Sequence, residues 1–198
     1  MTMSAKNQPS ETVLFLAGSI SIRQLHPRYS CVIEKAVGRN IQILVGDANG
    51  ADRAIQTVLA GAGATKVTVY CSGNRPRNNI GGWPLRQVVS DAAPGTRAFY
   101  TAKDRVMAAD ATHGLMIWDS VSTGTLANIV ALLQRGGKTT TFLTSTGRFA
   151  LVDGVSALTS ILATMSDAAR RAAEDKIQIS SRLSEIGKGN LRPPHSVP

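Results

Sequence analysis

Five short apolar runs recur along the chain, each closed by glycine or small polar residues. Residues 13–17 end at Gly18-Ser19, 41–45 at Gly46, 66–70 near Ser72-Gly73, 114–118 at Asp119 and 139–143 near Thr144. Each is rich in large apolar or β-branched residues and too short for a helix, so each reads as a strand covered on both faces. The intervals carry helical spacing instead. Segments 29–38, 51–61, 83–91, 102–111 and 125–135 read as helices; Ala54, Ile55, Val58 and Leu59 share one face of the second, and Leu126, Ile129, Val130 and Leu133 one face of the last. Gly136-Gly137 stops that helix. The alternation predicts an α/β fold: a Rossmann-like, open, mostly parallel sheet with helices on both faces, plus a C-terminal helical extension.

Beyond the last run, 152–165 reads as one more helix and 167–186 as a charged helix. Ile177, Ile179, Leu183 and Ile186 form an apolar side on the latter that must be buried against the domain or a second subunit. The expected organisation is a flexible leader (1–11), the Rossmann-like domain (12–166), the C-terminal helix (167–186) and a disordered tail (187–198) rich in Gly, Asn and Pro.

In a parallel sheet, ligands bind beyond the carboxyl ends of the strands, so the loops there are the candidate site. Gly18-Ser19 permits a tight turn and a close ligand approach. In Gly46-Asp47-Ala48-Asn49-Gly50-Ala51-Asp52, two glycines bracket a turn and a helix begins at its end. Free amides at that start, aided by the helix dipole, suit a phosphate. Asp52 stands where it either complements the dipole or bonds ligand hydroxyls. Asp119-Ser120-Val121-Ser122-Thr123-Gly124-Thr125 repeats the strand–turn–helix plan, with hydroxyls beyond what one N-cap needs. Neither loop is a Walker or GxGxxG motif. Two such cradles on one sheet edge favour a nucleotide-sized ligand. A third loop, 75–84, gathers Arg75, Arg77, Asn78, Asn79 and Trp83 among Gly and Pro residues and reads as a lid or ligand contact.

Composition narrows the class. The 198 residues are 43% hydrophobic and 18% charged, which excludes wholesale disorder. The net charge of +9 points to anionic partners, yet no Lys/Arg run marks a nucleic-acid patch, and 5% aromatics make a base-stacking platform a poor expectation. Cys31 and Cys71 exclude a disulfide framework and read as small buried hydrophobes. His26, His113 and His195 are too scattered for a metal site, and no cofactor is expected. Trp118 ends a strand and reads as core. No apolar run is long enough to span a membrane and the leader lacks a signal peptide's apolar stretch, so the expected location is the cytoplasm, with no membrane partner.

The pairing of Gly46-Asp47-Ala48-Asn49-Gly50-Ala51-Asp52 with Ser122-Thr123-Gly124-Thr125 resembles the SLOG superfamily of Rossmann-like proteins, over roughly 13–145. The branch it is most similar to is the YpsA-related group, with its Gly-Ala-Asp loop. The resemblance implies binding of a nucleotide or nucleotide-derived phosphorylated ligand, as a sensor, by a homodimer. It also raises two alternatives. One is the Lonely-guy reaction, hydrolysis of the N-glycosidic bond of a nucleoside 5′-monophosphate. There, Arg105 matches the family's catalytic arginine, but Asn128 stands at the glutamate position and Ser120-Val121-Ser122 replaces Pro-Gly-Gly. An amide is no general base, so Asp119 or Asp47 would have to supply the carboxylate. The other, by analogy with the DNA-processing branch, is nucleic-acid binding.

Overall fold

The structure, a computed structural model, describes residues 11–189. The leader, apart from Glu11, and the tail beyond 189, with His195, lie outside the described residues. Seven strands form one sheet in the order β4-β3-β2-β1-β5-β6-β7. They are β1 (Val13–Gly18), β2 (Gln42–Gly46), β3 (Val67–Ser72), β4 (Leu85–Val88), β5 (His113–Trp118), β6 (Lys138–Leu143) and β7 (Arg148–Val152). All neighbours pair in parallel except β6 and β7, which are antiparallel. The chain is therefore the Rossmann-like α/β protein its apolar pattern predicts.

The helices are α1 (Pro27–Gly38), α2 (Ala51–Gly61), α3 (Arg97–Asp110), α4 (Thr123–Gln134), α5 (Val155–Leu162), α6 (Asp167–Ile177) and α7 (Ile179–Gly189). Side chains alternate across the sheet, as the pleat requires. Phe15, Leu44, Met116 and Trp118 pack on α3, α4 and the C-terminal helices, whereas Leu16, Ile43, Val45, Leu115 and Ile117 pack on α1 and α2. Trp118 is core, as expected.

Several boundaries differ from the expectations. The helix expected over 83–91 is instead β4, an edge strand in which Leu85, Arg86 and Gln87 are exposed and only Val88 is buried. Pro84 stands at its start, a place proline tolerates, and its carbonyl accepts from the Val69 amide. The expected helix 102–111 begins earlier, at Arg97, because the Thr96 hydroxyl accepts from the Phe99 amide and caps it. The segment 152–165 gives its first residue to β7 and starts its helix at Val155. The single helix 167–186 is broken at Gln178, whose left-handed backbone (φ 50) turns α6 into α7. α7 runs to Gly189, through the first residues of the expected tail. The apolar side of this hairpin is buried on the chain's own core: Ile177, Ile179 and Ile186 join the cluster of α4 and α5. Of the cysteines, Cys71 is buried but Cys31 is exposed, since it lies on the outer side of α1. No helix among the described residues is long and apolar enough to cross a membrane.

Candidate functional site

Strand order reverses at β1: the chain steps outward through β2, β3 and β4, then returns to lay β5 on the other side of β1. The crevice beyond the carboxyl ends of β1 and β5 is the topological switch point, where open α/β sheets bind ligands. Gly18 ends β1 there. A Cβ on it would collide with the Ile117 side chain and lie 2.8 Å from the Ala51 Cβ, so glycine is what lets β1, β5 and α2 close together. Ser19 follows, fully buried. Its amide donates to the Ile117 carbonyl (3.1 Å), and its hydroxyl accepts from the Asp119 amide (3.3 Å) and lies 3.4 Å from Thr125 Oγ1.

Asp119 organises the β5–α4 loop. Its carboxylate accepts from the Ser21 hydroxyl (2.7 Å) and from the amides of Val121 (3.0 Å) and Ser122 (2.7 Å). Burial pushes this carboxyl up, but those hydrogen bonds outweigh it and hold the group below the usual carboxylate range. Two amides expected to cradle a ligand anion are thus already satisfied by the loop's own aspartate. The Ser122 hydroxyl caps α4 by accepting from the Thr125 amide (3.3 Å), and Thr123 Oγ1 accepts from Arg97 (2.9 Å). The amides of Thr123 and Gly124 remain without partners among the described residues.

The β2–α2 loop is built on charge. Asp47 is nearly inaccessible and receives Arg77 in a two-pronged ion pair, Nη2 to Oδ1 at 2.7 Å and Nε to Oδ2 at 3.1 Å, with the Arg77 amide on Oδ2 at 3.0 Å. Burial raises this carboxyl and the Arg77 hydrogen bonds lower it further than that, leaving it below its ordinary value. The guanidinium stacks 4.4 Å from the centre of the Tyr100 ring. Asn78 donates to the Asp47 carbonyl (2.8 Å) and to Asn49 Oδ1 (3.0 Å). Gly50 adopts φ 82, and a Cβ there would strike the Ile20 carbonyl, so both the conformation and the space demand glycine. Gly50 brings no side-chain cap to α2. Arg23 and Arg53 line a pocket of about 350 Å³ beside that uncapped start.

Beneath the loop lies a buried ionic cluster. Lys103 Nζ is 2.6 Å from Asp104 Oδ1 and 3.6 Å from Asp52 Oδ2, and Asp52 Oδ2 also accepts from the Ala48 amide (3.1 Å). Gly46 makes room for it: a Cβ would collide with Asp52 and sit 2.5 Å from Lys103 Nζ. Burial raises Asp52 to about 6, only partly offset by Lys103, whose closer partner is Asp104. Burial alone would lower Lys103, but the surrounding carboxylates hold its ammonium above the ordinary range.

The segment 75–84 is strapped down. Gln56, buried on α2, donates to the carbonyls of Gly46 (2.8 Å) and Asn78 (3.2 Å) and accepts from the Ile80 amide (2.9 Å). Asn79 clamps Trp83 by bonding both its carbonyl and its amide. Trp83 itself is core: it is buried among α2 and β3, with its indole N–H on the Ala64 carbonyl (2.8 Å), so it does not face the loops. Arg75 is exposed.

The loops of Ser19, Asp47 and Asp119 therefore share the carboxyl edge of the sheet. Arg105 is not among them. It lies two turns into α3 and lines, with Asn128, a cleft of about 800 Å³ between α3, α4 and the α6–α7 turn that reaches Gly124 of the β5–α4 loop. Sequence patterning did not single out Gln56 or Tyr100, nor the partners that Ser21, Arg97 and Lys103 meet in the fold. Ser21 reaches Asp119, Arg97 reaches Thr123 and Lys103 reaches Asp52, all across long sequence separations.

Fold and site together define a Rossmann-like α/β protein with three polar loops converging at the carboxyl edge of its sheet. No protein-family model matches the chain, and no curated protein matches it.

Proposed function

We propose that the protein binds a nucleotide or nucleotide-derived phosphorylated ligand across the β1, β2 and β5 loops and serves as a binding module, a sensor, rather than an N-glycosidase. The observation that carries this reading is the convergence of Gly18-Ser19, the Gly46–Gly50 loop and the Asp119–Gly124 loop at the switch point, with unpartnered amides at the start of α4 and an uncapped start at α2. Phosphate is drawn to such amides by hydrogen bonding and by the helix dipole.

Binding is favoured over hydrolysis because both carboxylates available at the edge are engaged. Asp47 is committed to Arg77 and Asp119 to Ser21 and two amides, and both have lowered proton affinity. A base pinned by hydrogen bonds and hard to protonate is a poor acceptor of the proton that hydrolysis must move. Asn128, beside Arg105 in the cleft that reaches Gly124, adds no charge and supplies no base.

Thermal unfolding against a panel of nucleoside mono- and diphosphates tests the reading. Ligand at a hundredfold excess over Kd adds about 2.7 kcal/mol, raising Tm by about 5–10 °C in a chain of this size. Thr123→Asp sets a carboxylate beside the free amides, where it suits the helix start but repels phosphate. That variant is expected to melt at or above the parent temperature and to lose the ligand shift. No shift with any phosphorylated compound contradicts the proposal.

A further inference from the structure

Among the described residues, two helices, α1 and α2, cover one face of the sheet, against five on the other. Toward the carboxyl edge the first face is closed even over β6 and β7. Phe142 and Phe149 lie beneath Tyr29 of α1, with ring centres 6.1 and 6.5 Å from it. Toward the amino edge it stays open. There Leu115 of β5, Thr140 of β6 and Leu151 of β7 stand in one cross-strand row. Leu14 of β1 adds to this floor, and Val32 and Ala36 of α1 form the wall. The groove between them holds about 300 Å³, the lower end of the range for small-molecule sites. Leu151, at the end of the row, is 56% exposed, so the apolar floor meets water.

The mouth of the groove is charged. Lys35 stands on the last turn of α1, Arg39 just past its end and Lys138 at the start of β6, and all three are exposed. No carboxylate lines the groove. None lies within ion-pair distance of these cations among the described residues. An apolar floor and an unneutralised cationic rim set two demands, and a molecule with an apolar body and an anionic head meets both.

We propose that this groove binds a small amphipathic acid, an alkyl or aryl body ending in one carboxylate. The body displaces water from Leu14, Leu115 and Leu151, and the carboxylate takes charge-assisted hydrogen bonds from Arg39 and the two lysines. A nucleotide is unsuited, because its base and ribose need polar partners and the wall is mostly carbon. A second copy of the chain is disfavoured, because a twofold contact here sets the same cations against each other. The groove opens at the edge of the sheet opposite the three polar loops, so the claim is independent of the nucleotide reading.

Calorimetric titration of the full chain with octanoate at low salt tests it. Saturable binding is expected, weakening about fourfold for each methylene removed from the acid. Octanol, with the same chain length and no charge, is expected to bind at least about tenfold more weakly, and Arg39→Gln with Lys138→Gln to weaken octanoate by a similar factor. Leu151→Glu sets a fixed carboxylate in the groove and abolishes binding. All three positions are exposed, so these variants keep the parent Tm. The proposal is overturned if octanoate gives no saturable binding, if octanol binds as tightly, or if either variant binds octanoate unchanged. Sedimentation velocity adds one more contrary result: a parent dimer that Leu151→Glu turns into a monomer assigns the face to a second copy. Each of these failures leaves nucleotide binding at the opposite edge untouched.

Discussion

At the scale of single residues, the protein's unusual feature is a buried lysine held by two aspartates under the β2–α2 loop. Such a cluster is costly to desolvate and costly to break. It ties α3 to the β2–α2 loop: Gly46, Asp52 and Lys103 fit only if all three are as they are. Its pH signature follows from Asp52, raised by burial from 3.8 to about 6. A carboxyl with a raised folded value gives stability that is fully present below the unfolded value and is lost as pH rises through about 6. Asp47 and Asp119, with lowered values, contribute the opposite: stability present above their unfolded value and lost on acidification. Asp52→Asn removes only the first effect. Urea unfolding at about pH 4.5 and about pH 7 is therefore expected to show the parent losing stability relative to Asp52→Asn at the higher pH; equal differences at both contradict the assignment. Asp47 and Asp52 were legible in the sequence because glycines framed them after an apolar run. The burial of Lys103 and the partners of Lys103 and Arg97 were not, because a lysine within a helix reads as solvent-facing and nothing local announces which loop a distant helix will meet.

At the scale of elements, the strands covered on both sides were legible and the margins were not. β1, β2, β3, β5 and β6 stand out as apolar runs because both faces are buried. β4 has one buried residue in four, and β7 is likewise half exposed, so neither carries that signature. The turn before β7, where Gly147 takes φ 64, was the available clue to a hairpin. The C-terminal region was readable as helix but not as two. Its break is conformational: Gln178 sits in the left-handed region, while Glu174 reaches over to bond the Ser180 amide (3.1 Å) and hydroxyl (2.7 Å) at the start of α7. Because a side chain in that region is strained by about 1–2 kcal/mol and glycine is not, Gln178→Gly is expected to stabilise the fold by about 1 kcal/mol. Chemical denaturation reads this directly, and a loss of stability would mean that the Gln178 side chain contributes more than its backbone costs.

At the scale of the whole molecule, the net charge of +9 is sorted by the fold into different roles. Arg77 is spent on Asp47 and Lys103 on Asp104 and Asp52. Arg23 and Arg53 stand by the start of α2, and Arg105, Lys176 and Arg182 surround the cleft under the hairpin. The sheet order places the Gly, Ser and Thr loops at one edge, and in the proposed reading the backbone amides there hold the phosphate while the diffuse charge only assists. The most direct test is amide chemical-shift mapping of the isotope-labelled protein titrated with nucleoside mono- and diphosphates. Saturable shifts are predicted at 18–21, 46–53 and 119–125. Titration to millimolar ligand with no shifts, or with shifts confined to the opposite edge of the sheet near His113 and Lys138, would contradict the account.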